Sequence, residues 1–338
     1  MEWNNRWKRL VIVPMDRIGD AVSDTPAIAL LNSMGVEIVV LATPYTAQLF
    51  ETNPSVARVV QFSRAKRDGL FRAWQTNRRA VRELAAFKPD AVLGMMRPIR
   101  ELRTMYAALR VPVLEKYHDP TLSIYMRWVS YFRQLGLDAH PAQNELYPGQ
   151  EDLALVEQCL GDQGIDMRGP ILVAHPGCAV YKAENTMRES LRYWSPDNFL
   201  DVFAGLPESY QIVLTGIHPT EVAENTSMKQ RSPRRLAIFD IKNVRALAGL
   251  ISKATALLTL DTGTLHVGAA TNTPIVALFG PTTPAKYGPF RDRITYVMTA
   301  DPPPCWPCDH NAVCNGNNVC MQRITPAQVI GALSEALR

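Results

Sequence analysis

The sequence predicts an α/β fold in two doubly wound halves, each built around a parallel sheet. Short apolar runs of strand length alternate with longer stretches of helical spacing along the whole chain, a rhythm typical of parallel sheets with crossover helices. The chain has 338 residues, enough for two domains of ordinary size. No apolar run approaches the roughly 18 residues that a membrane span needs. A protein of two α/β domains is therefore expected.

In the first half, four apolar runs predict strands, at 10–15, 36–42, 56–62 and 90–95. Helical spacing follows Asp20 as far as about Ser33, interrupted by Pro26, and a basic helix is predicted over 70–87. Before Asp16 the chain has too few apolar positions and no small-residue cleavage site for a signal peptide. We therefore interpret the N-terminal run as a first core strand and expect a cytoplasmic protein.

The second half repeats this pattern of strands and helices. Apolar runs predict strands at 171–177, 211–216, 236–240, 256–260 and 274–280, the last of the chain. A helix over 195–206 is predicted from Ser195 as N-cap and Pro196 at the first helical position. Further helices are predicted over 243–254, capped by Asn243, and over 263–272.

A polar, helix-poor stretch at about 139–152 marks the expected domain boundary. We therefore predict an N-terminal domain over 1–150 and a C-terminal domain over 151–338, the latter with a Cys-rich loop and a final helix. The halves are alike in architecture but not in sequence, so no internal repeat is predicted.

Positive charge is concentrated in one part of the N-terminal half. The whole chain carries a net charge of only +4, whereas residues 58–110 contain 13 Arg or Lys and four acidic residues. Such a stretch could contact phosphates or an anionic membrane surface, or it could be a set of solvated helix faces. Nucleic acid is not an expected partner, because aromatic residues are few there and no recognition module is present.

The stretch ALLTLDTGTLHVGAATN, centred on Asp261, joins a predicted strand to a predicted helix through Asp-Thr-Gly. In open α/β sheets ligands bind at the carboxyl ends of strands, and a helix N-terminus favours a phosphate. An ordinary capped helix is the plain alternative. An aspartic protease is excluded, because its fold is all-β and needs a second facing carboxylate, and the chain has no second such triplet.

The whole stretch DTGTLHVGAATNTPIVALFGPTTPAKYGPF resembles the signature of the lipopolysaccharide heptosyltransferases, glycosyltransferase family 9. The N-terminal LVIVPMDRIGDAVSDTPAIALL, the tetrapeptide HPGC at 175–178, the segment YWSP at 193–196 and the Cys-containing tail resemble that family too. These motifs occur in the family's order between residues 10 and 333.

The resemblance implies a GT-B fold, in which two Rossmann-like domains face each other across a cleft. The N-terminal domain would bind the acceptor and the C-terminal domain the donor. It further implies inverting transfer of a heptose from ADP-heptose to the lipopolysaccharide inner core. The acceptor would be phosphorylated lipid A-Kdo or a similar glycolipid, at the inner face of the inner membrane. The alternatives are a relative that uses another nucleotide sugar and a noncatalytic nucleotide-binding protein of the same fold.

The resemblance also assigns roles to residues. Thr262, Gly263 and His266 would line the diphosphate, and Asp261 would brace their turn. Asp20 would face the acceptor hydroxyl as the catalytic base. For Asp20, helix capping is the competing interpretation, and Asp16 is the alternative base.

No cofactor is expected for catalysis. The chain lacks an Asp-x-Asp pair that would hold a metal on the diphosphate, so helix N-termini and cations must balance the leaving-group charge. Walker A and Gly-x-Gly-x-x-Gly sequences are also absent, which argues against an ATPase or a dehydrogenase. Arg192 aligns with the family's usual Lys and is the predicted diphosphate cation, with Lys182 and Arg188 as alternatives. Arg192 as a surface residue is the remaining interpretation.

The other contacts are predicted less directly. For the donor ribose, an acidic residue after the Thr-Gly turn at 215–216 would suit, and Glu221 is preferred to Glu224, although both could be ordinary residues of a surface helix. For the acceptor, Arg64, Lys66 and Arg97 are assigned from the basic stretch.

Four of the six cysteines, Cys305, Cys308, Cys314 and Cys320, lie within 16 residues. In a reducing compartment such clustering suggests a structural zinc more than disulfides, though the spacing is not that of a standard zinc ribbon and free thiols remain an alternative. The other two, Cys159 and Cys178, are expected to be ordinary buried thiols.

Overall fold

The computed structural model describes residues 3, 7–115, 119, 121–178, 190–309 and 318–337. The chain divides into two compact units, Met1–Tyr147 and Pro148–Arg338. Each unit has its own parallel sheet with helices connecting its strands. None of the helices in these described ranges is long and apolar enough to cross a bilayer.

The first unit contains a five-stranded sheet in the order β3-β2-β1-β4-β5. Its strands are β1 (Arg9–Val13), β2 (Glu37–Ala42), β3 (Arg58–Gln61), β4 (Ala91–Gly94) and β5 (Val113–Glu115). Its helices are α1 (Ile18–Ser23), α2 (Thr25–Ser33), α3 (Pro44–Ala47), α4 (Ala65–Asp68), α5 (Leu70–Phe87), α6 (Arg100–Leu109) and α7 (Ile124–Gln134). The central strand β1 pairs in parallel with β2 and β4, with Val11 opposite Val39 and Val92.

The second unit contains a six-stranded sheet in the order β11-β10-β9-β6-β7-β8. Its strands are β6 (Ile171–His175), β7 (Gln211–Thr215), β8 (Leu236–Phe239), β9 (Ala256–Leu260), β10 (Ile275–Leu278) and β11 (Ile294–Val297). Its helices are α8 (Gln150–Gly161), α9 (Pro196–Gly205), α10 (Pro219–Arg231), α11 (Val244–Lys253), α12 (Gly263–Gly268), α13 (Pro284–Tyr287), α14 (Val319–Gln322) and α15 (Pro326–Ala336). The neighbours β6 and β9 run in parallel, with His175 opposite Thr259.

The strand order gives each unit a topological switch point. In the first unit the chain moves outward from β1 through β2 to β3 and then returns to β4 on the other side of β1. In the second unit the chain moves outward from β6 through β7 to β8 and then returns to β9 on the other side of β6. Connections diverge at such points, and the crevice beyond the carboxyl ends of the strands is the usual ligand site of an open α/β sheet.

The central strands are almost continuously buried, as their apolar sequences predicted. All five residues of β9 are buried, as are four of the five in β1 and in β6. A parallel sheet covered by helices on both faces requires such continuous apolar runs. The predicted interruption at Pro26 is confirmed, because α1 ends at Ser23 and Pro26 lies in the first turn of α2.

Two of the predictions for the second half are wrong. The run at 274–280 is not the last strand, since β11 follows it at the sheet edge. The helix predicted over 263–272 ends at Gly268, where the Thr271 amide and hydroxyl both donate to the Gly268 carbonyl, at 2.9 and 2.8 Å. That local hydrogen bonding competes with further helical turns.

Candidate active site

The Asp261 side chain connects three segments of the second unit. Asp261 follows β9, and the residue as a whole is 3% exposed. One carboxylate oxygen, Oδ2, accepts a hydrogen bond of 2.6 Å from the Thr282 hydroxyl and lies 3.4 Å from Nη2 of Arg192. A single carboxylate therefore ties the Asp-Thr-Gly turn to the loop after β10 and to the segment before α9. The bracing role in donor binding that the resemblance implies stays a prediction.

Thr262 is the N-cap residue of α12 but does not cap it through its side chain. Its Oγ1 is buried and has no hydrogen-bond partner among the described residues. A buried hydroxyl without a partner costs about 1–3 kcal/mol. A ligand oxygen at this helix N-terminus would satisfy the hydroxyl and would lie where the helix dipole favours negative charge.

Gly263 and His266 differ in accessibility. Gly263 is the first residue of α12 and is half-buried, whereas His266, one turn further on, is only 6% exposed. The family resemblance implied that His266 would line the diphosphate. The structure buries its ring in the same short helix, and its contact with the diphosphate stays a prediction.

The switch point of the second unit lies between β9 and β6, and the end of β6 forms its other side. The Nδ1 atom of His175 lies 3.1 Å from both the carbonyl and the hydroxyl oxygen of Thr215, at the end of neighbouring β7. Burial lowers the pKa of His175, while the Glu221 carboxylate acts in the opposite direction. A Cβ atom at Gly177 would overlap the Glu221 carboxylate, so a larger residue there would displace that side chain.

Glu221 has a structural role in the second unit. Its Oε2 accepts hydrogen bonds from the backbone amides of Ile217 and His218, at 3.0 and 3.1 Å, within the capping box of α10. Glu224 instead accepts a 3.4 Å hydrogen bond from the Tyr193 hydroxyl. Glu221 is thus the acidic residue nearer the carboxyl ends of β6 and β7, and the ribose contact stays a prediction.

Arg192 is a largely buried cation, with a side chain that is 13% exposed. Its Nε is buried and has no partner among the described residues, so the guanidinium retains a donor beyond its ion pair with Asp261. This burial disfavours the surface interpretation of Arg192. The alternative cations Lys182 and Arg188 lie outside the described residues.

In the first unit, Asp20 lies in the first turn of α1, just after the central strand. The residue is half-buried, and its carboxylate makes no hydrogen bond or ion pair with any described residue. Because the Asp20 carboxylate makes no capping hydrogen bond, this geometry disfavours a role for Asp20 in capping α1. A half-buried carboxylate at the carboxyl end of the central strand is suited to accept a proton from a ligand.

Asp16, the alternative base, already has partners on two sides. Its Oδ1 accepts a 2.8 Å hydrogen bond from the Thr43 hydroxyl, and its Oδ2 lies 2.7 Å from Nη1 of Arg64. These contacts connect the segments that follow β1, β2 and β3. Proton transfer to Asp16 would have to disrupt them, which makes it the weaker candidate.

The three basic residues assigned to the acceptor differ in position. Arg64 is paired with Asp16, and its Nε is buried without a partner in the described chain. Lys66 is exposed in α4, and Arg97 is exposed in the loop after β4. Since β4 neighbours β1, Arg97 and Asp20 follow the two strands that flank the switch point. Their contact with an acceptor stays a prediction.

The described cysteines of the tail do not assemble a metal site. Cys305 is exposed and Cys308 half-buried, both as thiols, and Cys320 is buried. Within the described ranges no three His, Cys, Asp or Glu side chains come together as metal ligands. Cys314 lies outside those ranges, and the zinc site stays a prediction. Elsewhere, burial raises the pKa of the Cys178 thiol to about 11.

Sequence reasoning missed two residues of the second unit. His175 was considered only as part of the HPGC motif. A polar residue at the end of a buried strand could have identified it as a candidate site residue. Thr282 has no local signal, because it lies 21 residues after the carboxylate to which it donates.

The two parallel-sheet units have the domain composition of a GT-B protein. The chain resembles the crystal structure of a family 9 glycosyltransferase from Veillonella parvula, with a TM-score of 0.82, 21% identity and coverage of 100% of this chain and 98% of that one. It also resembles the E. coli ADP-heptose LPS heptosyltransferase II, with a TM-score of 0.74, 16% identity and coverage of 97% and 98%.

The family profile of glycosyltransferase family 9 (heptosyltransferase) matches residues 127–315, and the chain belongs to that family. Lipooligosaccharide heptosyltransferase 2 of Haemophilus influenzae is 31% identical over 97 residues, which span 27% of this chain and 28% of that protein. Lipopolysaccharide heptosyltransferase 1 of Pseudomonas aeruginosa is 23% identical over 89% of this chain and 86% of that protein.

Proposed function

We propose that the protein transfers a heptose from ADP-heptose to the inner core of lipopolysaccharide, with inversion at the anomeric carbon. Family membership and the names of the similar heptosyltransferases support this function. The observation that carries it is the unpartnered Oγ1 of Thr262, buried at an uncapped helix N-terminus beside the Arg192–Asp261 pair. Such a combination suits the diphosphate of a nucleotide sugar.

In this proposal the donor diphosphate lies against the turn that follows β9. The Thr262 hydroxyl and the first amides of α12 donate to phosphate oxygens, while Asp261 keeps Arg192 oriented. The Nε of Arg192 donates to the same group, since an arginine can form two directed hydrogen bonds to phosphate. Glu221, near the end of β7, is proposed to contact the ribose.

Asp20 acts as the base in the proposed reaction. The acceptor hydroxyl gives its proton to the Asp20 carboxylate as its oxygen forms a bond to the anomeric carbon. The bond between that carbon and the β-phosphate oxygen breaks on the opposite face, which inverts the configuration and releases ADP. Arg192 and the N-terminus of α12 stabilise the charge that develops on the phosphate, so no catalytic metal is required.

The acceptor in the proposal is a phosphorylated glycolipid of the lipid A-Kdo type. Arg64 and Arg97 follow strands of the same sheet edge as Asp20, and both can donate to acceptor phosphates or carboxylates. Such an acceptor is anchored in a bilayer. The enzyme is therefore proposed to act at the cytoplasmic face of the inner membrane, as a peripheral protein.

The direct test is to incubate the protein with ADP-heptose and a Kdo-containing acceptor in the presence of a chelator. ADP release and a glycosylated product with inverted anomeric configuration are expected. A thermal-shift panel of ADP, UDP, GDP and CDP tests the nucleotide separately, because a bound ligand raises the melting temperature. Stabilisation by another nucleotide alone would transfer the assignment to a relative with a different donor. No stabilisation by any nucleotide would overturn it.

A further inference from the structure

An exposed aromatic surface lies at the start of α5, outside the site described above. Leu70, Phe71 and Trp74 are 73%, 71% and 56% exposed, the three most exposed large apolar residues in the described chain. We call them the aromatic face of α5. The rings of Phe71 and Trp74 stack with centroids 6.3 Å apart. Together they form a contiguous apolar patch, and such patches mark interaction sites.

This patch is not part of the core of the first unit. The core-facing side of α5 is formed by Ala73, Ala80, Leu84 and Phe87, all buried. At 100° per residue, Phe71 points almost opposite to this stripe, as do Arg78 and Arg82 further along the helix. The helix thus has two apolar surfaces, and the outer one carries Phe71 and Trp74, which the core does not require.

Positive charge is concentrated in the sequence on both sides of the aromatic face. Residues 64–82 contain seven Arg or Lys and one acidic residue. The Arg78 guanidinium lies over the Trp74 ring, 5.3 Å from its centroid, and Arg67 lies 5.7 Å from the centroid of the half-exposed Tyr45 ring. Aromatic rings beside arginines are the composition that inserts into the headgroup region of an anionic bilayer.

The connectivity of the sheet locates this patch. A helix that follows a parallel strand and leads to the next one starts at the carboxyl edge of the sheet and runs back. The first turn of α5 follows β3 in this way, so it lies at the same edge as Asp16 and Asp20, which follow β1. The aromatic face therefore lies at the edge where the first unit would receive an acceptor.

We propose that the aromatic face of α5 and its flanking arginines dock the protein on an anionic phospholipid bilayer. Phe71 and Trp74 would enter the headgroup region, while Arg67 and Arg78 would contact lipid phosphates. This inference rests on the proposed function, since a lipid-anchored acceptor brings the enzyme to a membrane. It adds the surface that makes the contact, and vesicle binding can be measured without catalysis.

The test is flotation of the full chain with vesicles of phosphatidylethanolamine and phosphatidylglycerol, compared with phosphatidylcholine vesicles. The double variant Phe71→Ala/Trp74→Ala should lower partitioning onto the anionic vesicles by about tenfold or more. Phe290→Ala removes an aromatic residue of similar exposure, 53%, from the second unit. It serves as the matched control and should bind like the wild type.

A second double variant tests the charges. Arg67→Gln/Arg78→Gln should reduce binding to anionic vesicles by about thirtyfold, at roughly 1 kcal/mol per arginine, and should reduce its salt dependence. Lys242→Gln/Lys253→Gln removes two exposed positive charges from the second unit and is the control. Turnover of a water-soluble acceptor without acyl chains should be unchanged in Phe71→Ala/Trp74→Ala, which separates docking from catalysis.

Three results would overturn the proposal. The first is equal vesicle binding by the wild type and both double variants. The second is a wild type that ignores vesicles but forms a dimer that Phe71→Ala/Trp74→Ala abolishes, because a second copy would then cover the face. The third is equal binding to phosphatidylcholine and anionic vesicles. If the soluble acceptor is not turned over while vesicle binding behaves as expected, the proposed function fails and the docking surface stands.

Discussion

Arg192 and Asp261 form a buried ion pair across 69 residues of sequence, with Nη2 3.4 Å from Oδ2 and side chains 13% and 5% exposed. Asp261 contributes a negative charge next to the turn proposed to bind a diphosphate, and Arg192 balances it. Burial, and to a smaller extent the Asp261 carboxylate, raise the pKa of the Tyr296 hydroxyl to about 12. The net charge next to this turn therefore depends on the Arg192–Asp261 pair remaining intact.

Replacing Arg192 should affect both stability and donor binding. Arg192→Gln leaves the Asp261 carboxylate buried without its cation, which should lower the free energy of unfolding by about 3 kcal/mol and weaken ADP binding at least about tenfold. Chemical denaturation and calorimetric titration with ADP measure the two effects. Arg168→Gln, which breaks a solvent-exposed pair with Asp166, is the matched control. If both variants behaved alike, Arg192 would have no special role.

Thr262→Val tests the buried hydroxyl at the start of α12. Valine keeps the shape but removes an oxygen that has no partner among the described residues, so stability should be equal or higher by about 1 kcal/mol. ADP affinity should fall about tenfold to a hundredfold, the loss expected for a hydrogen bond to a charged group. Thermal unfolding with and without ADP separates the two quantities.

Thr282→Val is the contrasting variant for this experiment. The Thr282 hydroxyl donates to Asp261 at 2.6 Å, so its removal should destabilise the second unit, opposite in sign to the effect of Thr262→Val. A loss of stability in Thr262→Val, with unchanged ADP affinity, would show that its hydroxyl serves the fold rather than a ligand.

The pH dependence of stability should reveal His175. Because its pKa is lowered in the folded protein, the unfolded chain takes up the proton first, at about pH 6.5. Between that pH and the lower folded-state pKa, the unfolded state binds more protons, so stability falls as the pH falls. We expect His175→Gln to flatten the decline in melting temperature below about pH 6.5. His140→Gln, which removes an exposed imidazole, is the comparison variant, and an equal change in slope in both variants would contradict the prediction.

The sequence predicted the centre of each sheet better than its edges. Continuous burial makes β1 and β9 visible as apolar runs. No strand was predicted at β5 or β11, because edge strands are short and partly solvated: β5 has three residues, and only one residue of β11 is buried. Alternation with helices still identified the fold class, since the missing strands add to a sheet without changing its connectivity.

For the candidate site, local motifs located the turns but not the partners within them. Nothing in the sequence indicates that Asp16 contacts Arg64, 48 residues later, while the Asp20 carboxylate has no described partner. Periodicity reports which face of an element is buried, whereas ion pairs depend on how loops from different strands meet. The structure therefore adds the partners of the two aspartates, while the assignment of Asp20 as the base stays a prediction.

Arg234 should be a stability determinant of the second unit. Its guanidinium donates hydrogen bonds of 2.6 to 3.3 Å to five backbone carbonyls, those of Phe203, Leu206, Pro207, Glu208 and Tyr210. A lysine has no fork to reproduce this arrangement, so Arg234→Lys should lower the free energy of unfolding by about 2 kcal/mol. Arg235→Lys changes the exposed neighbour and is the control. Equal destabilisation by the two variants would contradict this role of the Arg234 hydrogen bonds.

Asp20 and Asp16 can be separated by kinetics. If Asp20 is the base, Asp20→Asn should retain ADP affinity and melting temperature but lose about a hundredfold or more in kcat, because asparagine cannot accept the proton. Asp16→Asn should instead lower the melting temperature, since it weakens the contacts with Thr43 and Arg64. Asp16→Asn should lower kcat less than Asp20→Asn does.

Steady-state rates with saturating ADP-heptose, measured beside thermal unfolding, distinguish the two roles. Asparagine also caps helices well, so a pure capping role for Asp20 predicts little change in either quantity. A further control is Ser23→Ala, which removes a hydroxyl that donates to the Asp20 carbonyl at 2.6 Å and leaves the carboxylate intact. Near-wild-type turnover by Asp20→Asn, together with a hundredfold loss in Asp16→Asn, would assign the base to Asp16 and make its pairing with Arg64 part of the mechanism.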